Sequence, residues 1–247
     1  MNTNIYSVIT GTGTYIPPRR IKNEDFLENV FYDTHGNKLD KLNQEIIDKF
    51  LEITTIKERR YVSDDMVTSD IAYYAANEAI ESSGIDPEEL DYIVVAHNFG
   101  DVKSDNKRSD FVPSLAARVK QKLKIKRPDA GAYDLPFGCP GWLQAIIQAD
   151  YFIKSGDAKK ILVIGAETLS RVSDPHDRDS MLYADGAGAV ILQARESEEP
   201  IGILGHKTRS DTYLYSQMLR MDKSYNSNGA PNYEIFLKMN GRKLYQY

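Results

Sequence analysis

Apolar and polar positions repeat along the chain with two different periods, and each change of period marks an element. Over 69–83, Ile71, Ala72, Ala75, Ala76, Ala79 and Ile80 recur at the three- and four-residue spacing of one helix face. Ser69 or Asp70 can cap that helix, and Gly84 can end it in the left-handed conformation. Helical spacing returns over 114–123 and over 142–155, where Leu143, Ile146, Ile147, Tyr151 and Phe152 precede Gly156. Short apolar runs at 6–12, 92–96, 130–135, 161–165 and 188–193 read as strands. From residue 92 the order is strand, helix, strand, helix, strand. It predicts an α/β layered fold with a mostly parallel sheet, because parallel neighbours need crossover connections. Asp33-Thr34-His35-Gly36-Asn37 reads as a turn, and Leu42, Ile46, Ile47 and Phe50 predict a helix after it. The stretch 100–110 is charged and poor in apolar anchors, which predicts a mobile loop.

Composition narrows the class. A chain of 247 residues, 41% hydrophobic and 27% charged, can bury one substantial core or two small ones. A net charge of -5 argues against general nucleic-acid binding, and no apolar run approaches a membrane span, so neither partner is expected. Met1-Asn2-Thr3-Asn4 leads straight into a strand-like segment without a secretory pattern, and a single cysteine excludes an internal disulfide. Together these suit a cytoplasmic protein. No Cys/His ligand spacing is present, so no metal site is expected.

That single cysteine, Cys139, stands in Asp134-Leu135-Pro136-Phe137-Gly138-Cys139-Pro140-Gly141, between a predicted strand and a predicted helix. At a helix N-terminus, unpaired amides and the positive end of the helix dipole favour thiolate over thiol, the form that attacks carbonyl carbon. A lone cysteine is as readily a buried structural residue, and the segment by itself leaves both open.

Further motifs surround it in a fixed order: Gly11-Thr12-Gly13-Thr14-Tyr15-Ile16-Pro17, Ile56-Lys57-Glu58-Arg59-Arg60, Ile161-Leu162-Val163-Ile164-Gly165-Ala166-Glu167, Ser173-Asp174-Pro175-His176-Asp177-Arg178, and Tyr183-Ala184-Asp185-Gly186-Ala187-Gly188-Ala189-Val190. With the cysteine turn among them, the sequence closely resembles the 3-oxoacyl-acyl-carrier-protein synthase III family of the thiolase superfamily, from about Ile5 to Tyr247. The resemblance implies a thiolase-like layered fold whose N-terminal half is essentially complete over 1–195. Residues 196–247 would form a connecting segment, with the C-terminal half largely absent. It implies an acyltransferase in which Cys139 accepts an acyl group from acyl-CoA or an acyl carrier protein. Coenzyme A thioester is then a substrate, with no cofactor, and the expected assembly is a homodimer. The alternative is a catalytically incomplete thiolase-fold subunit that binds or interacts.

By the same resemblance, Arg178 matches the family arginine that lies against the adenine, Tyr183 a residue lining the acyl pocket, and Phe111 a residue that closes the partner's pocket across the dimer. Arginines are mostly solvent-facing and buried rings mostly core, so plainer roles stand beside these. The departures are equally specific. Lys49 or Phe50, and Ile53, fall where coenzyme A-binding relatives carry a tryptophan and an arginine. None of His35, His97, His176 and His206 lies in the family's catalytic-histidine motif, and the matching asparagine is also missing. Condensation by this chain alone should therefore be severely impaired. Asn98 falls near the general-acid glutamate of related 3-hydroxy-3-methylglutaryl-CoA synthases, a role asparagine cannot fill, and His97 reads more readily as a local hydrogen-bonding residue. The run Arg118, Lys120, Lys122, Lys124, Lys126, Arg127 can steer an acidic carrier protein or simply solvate a helix end.

Overall fold

The computed structural model describes residues 4–226 and 234–246, so the expectation for Met1 to Thr3 lies outside the described residues. In chain order the elements begin with β1 (Asn4–Tyr15), β2 (Arg19–Lys22), α1 (Asn43–Thr54), β3 (Glu58–Tyr61), α2 (Thr68–Ser83) and β4 (Tyr92–His97). Next come β5 (Asp101–Val102), β6 (Ser109–Asp110), α3 (Leu115–Lys122), β7 (Gly131–Pro136), α4 (Gly141–Ser155) and β8 (Lys160–Thr168). The chain continues with β9 (Asp185–Ser197), α5 (Thr212–Tyr215), β10 (Leu219–Asp222), β11 (Phe236–Met239) and α6 (Gly241–Gln246). No described helix is long and apolar enough to cross a membrane.

Contacts divide the chain into two compact units. The first runs through Ile16, then Val62–Glu167 and Gly186–Lys207, and the second takes Pro17–Tyr61, Thr168–Asp185 and the residues from Thr208 on. A break at 195/196 would fall inside β9, which still pairs Ser197 with Asn4. Beyond β9, Ile203 N–H donates to Ser7 O, so the chain stays with the first unit for another ten residues or so before leaving it at 207/208.

The first unit is a five-stranded, mostly parallel sheet in the order β1-β9-β8-β4-β7. β4 pairs in parallel with both β8 and β7, while β9 pairs antiparallel with β1. Strand alternation divides its apolar residues between two layers. Ile93, Val95, Leu162 and Ile164 pack with Ile71, Ala75, Leu115 and Val119 of α2 and α3. Val94, Ile161 and Val163 pack with Ile146, Ala149 and Ile153 of α4. Each fully buried branched side chain contributes roughly 1.5–3 kcal/mol, so these two layers dominate the unit. The parallel arrangement brings the carboxyl ends of β8, β4 and β7 side by side. α2 lies directly on β1: a Cβ at Gly13 would stand 2.1 Å from Ala75 O, an approach only glycine permits.

Two local expectations change. Ser69 and Asp70 are inside α2, and Asp70 Oδ2 reaches back to accept the N–H of Val67 at 2.9 Å. The 100–110 stretch is anchored, because Asp101 is buried and accepts Ser69 N–H and Oγ–H, both at 2.7 Å. Arg118 then clamps Asp101 at 2.5 Å and Asp110 at 2.9 Å.

The second unit has a smaller core of Phe26, Phe31, Ile46, Ile47 and Met181, with Ile21 of β2 packed against it, and it also carries the β2–β3 and β10–β11 pairs. The turn at Asp33 forms as expected: its carboxylate accepts the amides of His35 and Asn37, which holds it below the usual carboxylate range. α1 follows, carrying Ile46 and Ile47 inward.

Candidate active site

Cys139 is exposed in the bend that joins β7 to α4. Gly138 before it has φ +74, a conformation that would strain a residue with a Cβ. Gly141 opens the helix within 3.2 Å (from its would-be Cβ) of the Ala96 Cβ, so the bend sits tight against β4. Gly138 N–H donates to Asn98 Oδ1 at 2.8 Å, and Gly141 N–H donates to Gly138 O at 3.0 Å. Asn98 is itself held, since its N–H and Nδ2–H both donate to Glu167 Oε2, at 2.7 and 3.0 Å. Glu167 belongs to β8, Asn98 follows β4 and Gly138 follows β7, so one chain of hydrogen bonds ties three strand ends to the thiol's bend.

His97, the neighbour of Asn98, has a completely buried ring. Its Nδ1 accepts Gly100 N–H at 3.1 Å, which puts the ring proton on Nε2, 3.0 Å from Asp134 Oδ2. Asp134 also accepts the first amides of α3, from Leu115 and Ala116 at 2.8 Å each. Burial works to raise the Asp134 carboxyl, yet the His97 contact and these amides outweigh it and hold it below the usual range. Phe111, about half exposed, sets its ring 5.8 Å from that of His97. Nδ1 of His97 is thus occupied by the Gly100 amide, and Nε2 faces the Asp134 carboxylate.

Arg178 and Tyr183 belong to the second unit. Arg178 opens a tight turn capped by Asp177, whose carboxylate accepts Asp179 N–H at 3.0 Å. Arg178 lines a cavity of about 930 Å³ together with Lys49, Phe50, Ile53, Asp179 and Arg242. Burial, and then the nearby Asp177 charge, push Asp179 up to about 6. Behind the turn, the fully buried Lys238 pairs with Asp174 and, at 3.3 Å, with Asp177, its ammonium 3.4 Å from the Tyr225 ring centre. Burial raises Asp174, but Lys238 and the amides of Tyr225 and His176 bring it below its ordinary value. Tyr183 is buried and does not line the cavity. Arg59 is buried too, donating to Met181 O, Ile21 O and Asn23 Oδ1, so its segment braces the cavity wall at Met181.

A sequence model of the family described as 3-oxoacyl-[acyl-carrier-protein (ACP)] synthase III matches residues 133–212, which contain the bend, β8 and Arg178. The fold matches the crystal structure of 3-oxoacyl-[acyl-carrier-protein] synthase III from Aquifex aeolicus VF5 at 33% identity and a TM-score of 0.74, covering 97% of this chain and 66% of that one. The chain is similar to the 3-oxoacyl-acyl-carrier-protein synthase III family in both sequence and fold. The corresponding synthase III from Pseudomonas aeruginosa PAO1 is similar at 26% identity and a TM-score of 0.74, with 98% and 66% of the two chains covered. That from Thermus thermophilus is similar at 28% and 0.68, with 97% and 67% covered. The chain therefore spans just under two thirds of the first two relatives' length.

Within this synthase III framework the structure joins some expected residues and separates others. Cys139 and Phe111 fall in the first unit, Arg178 and Tyr183 in the second. Lys49, Phe50 and Ile53, the positions that depart from coenzyme A-binding relatives, do share the Arg178 cavity. The basic run is largely satisfied from within. Arg118 pairs with Asp101 and Asp110, Lys122 with Asp70 and Arg127 with Asp91, while Lys120 Nζ donates to two carbonyls of its own loop. These pairs favour the plainer reading of that run over carrier steering. Sequence reasoning missed Glu167, Asp179 and Lys238. Glu167 was visible only as part of a motif, and nothing marked the other two.

Proposed function

We propose that this chain carries the acyl-loading site of a 3-oxoacyl-acyl-carrier-protein synthase III-type acyltransferase, with Cys139 as the acyl acceptor. The observation that supports it is the exposed Cys139 on a left-handed glycine bend directly ahead of α4. The thiolate attacks the thioester carbonyl carbon of acyl-CoA or acyl carrier protein. A carbon–sulfur bond forms to Cys139, the donor's carbon–sulfur bond breaks, and the departing thiolate takes up a proton. Arg178 and its cavity take the donor's nucleotide or pantetheine portion, with Ile53 and Lys49 weakening the grip on adenine. Tyr183 borders the acyl chain and Phe111 closes the neighbouring pocket of a homodimer, which light scattering at micromolar concentration tests. In the family, condensation uses a histidine and an asparagine that no residue of this sequence matches, so acyl loading is the step assigned to this chain.

The test is a single-turnover assay with acetyl-CoA and, separately, an acetylated carrier protein. The reading predicts one equivalent of donor thiol released per chain and none from Cys139→Ser. Release unaffected by Cys139→Ser would overturn it.

A further inference from the structure

Three strands end at the Cys139 bend, and one run of side-chain hydrogen bonds connects all of them. Glu167 at the end of β8 accepts two N–H groups of Asn98 through a single oxygen, Oε2. That double contact fixes which way the Asn98 amide points, since the NH₂ end must face the carboxylate. Oδ1 is then turned the other way, onto the Gly138 amide at 2.8 Å. Gly138 has two flanking peptide planes. The Asn98 bond fixes the one before it, and the Gly141 N–H bond to Gly138 O fixes the one after it, which carries the N–H of Cys139. A glycine at φ +74 has a wide range of alternatives, so without the Asn98 bond the first plane is free to turn. Contacts from N–H donors to a carboxylate are the stronger class of hydrogen bond, which suits Glu167 to hold this orientation.

We infer that Asn98 and Glu167 are positioning residues for the nucleophile: Glu167 orients Asn98, and Asn98 locks the Gly138 peptide so that Cys139 is presented in one geometry for acylation. The inference rests on Cys139 being the acyl acceptor. His97, one residue away, belongs to a separate pairing with Asp134 and Gly100, so the two functions divide between adjacent side chains. Asn98→Asp is not conservative here, because a second carboxylate would face Glu167 Oε2. Glu167→Gln is conservative, because its carbonyl oxygen can still receive both Asn98 donors.

The experiment combines amide hydrogen exchange with single-turnover acylation by acetyl-CoA, for the intact chain and for Asn98→Ala, Asn98→Asp and Glu167→Gln. Loss of one well-formed hydrogen bond at an exposed bend corresponds to roughly a tenfold change. Asn98→Ala should therefore speed exchange of the Gly138 amide about tenfold, with Val94 and Val95 in the centre of β4 unchanged. The maximal acylation rate should fall by a similar factor while the half-saturating acetyl-CoA concentration stays constant, since binding is untouched. Asn98→Asp should match Asn98→Ala, and Glu167→Gln should stay within about twofold of the parent. An unchanged Gly138 amide and an unchanged acylation rate in Asn98→Ala would overturn the inference. So would faster exchange at Val94 and Val95 in step with Gly138, which is the mark of a merely structural role. If the parent chain is not acylated at all, the functional reading fails, while Gly138 exchange still reports whether Asn98 holds the bend.

Discussion

His97 Nε2 stands 3.0 Å from Asp134 Oδ2 while that same carboxylate receives the first two amides of α3. A carboxylate held in this way stays ionised in the folded chain to lower pH than in the unfolded one. Its contribution to stability is present above the ordinary carboxylate range and is lost as pH falls through the depressed folded value. Asp134→Asn should cost about 1–3 kcal/mol at pH 7 in urea unfolding and should make the acid-side loss of stability shallower. An unchanged acid limb would show that Asp134 is not held as described.

Asp179 works with the opposite sign. Its folded value of about 6 lies above its ordinary value, so the folded chain binds the proton more tightly, and stability is lost as pH rises toward and through 6. Asp179→Asn should stabilise the chain at pH 7.5 by on the order of 1–2 kcal/mol and have little effect at pH 4. Equal effects at both pH values would contradict the assignment.

Lys238 offers a sharper destabilisation. Lys238→Ala would leave Asp174 and Asp177 without their buried cation, a loss of about 3–5 kcal/mol. Replacing Lys238, Asp174 and Asp177 together with apolar or amide residues should cost less than the single change. Denaturant midpoints for the single and triple variants check this.

The sheet and its helices were legible in the sequence because runs such as Ile161-Leu162-Val163-Ile164 and the spacing of Ile71, Ala75 and Ala79 carry their own period. Cys139 was legible because the strand, the glycines and the helical pattern meet around it. The restraint on its bend was not. Asn98 and Glu167 are 69 residues apart, and nothing local marks their bond. Lys238 lies 64 residues from Asp174 and looks in sequence like any strand lysine flanked by apolar residues. The 100–110 stretch read as mobile for the same reason: its anchor is Asp101 on Ser69, an arrangement only the folded chain creates. The division into units also escaped the sequence, because 17–61 and 168–185 are separated along the chain and come together only in the folded unit, around a small core that includes Phe26 and Met181.

Arg178 allows the proposed donor site to be tested through its effect on half-saturation rather than on the nucleophile. Arg178→Ala removes one cation from the cavity wall and should raise the acetyl-CoA concentration needed for half-maximal acylation about tenfold, with the maximal rate nearly constant. The reverse pattern, a lower maximal rate at unchanged half-saturation, would place Arg178 outside the donor site.

The most direct measurement is peptide mass mapping of the native chain after incubation with acetyl-CoA. The account predicts a single acetyl group on the peptide bearing Cys139, removed by hydroxylamine and absent from Cys139→Ser. A Cys139 that stays unmodified by both acetyl-CoA and iodoacetamide in the native chain, yet reacts with iodoacetamide after unfolding, would contradict it.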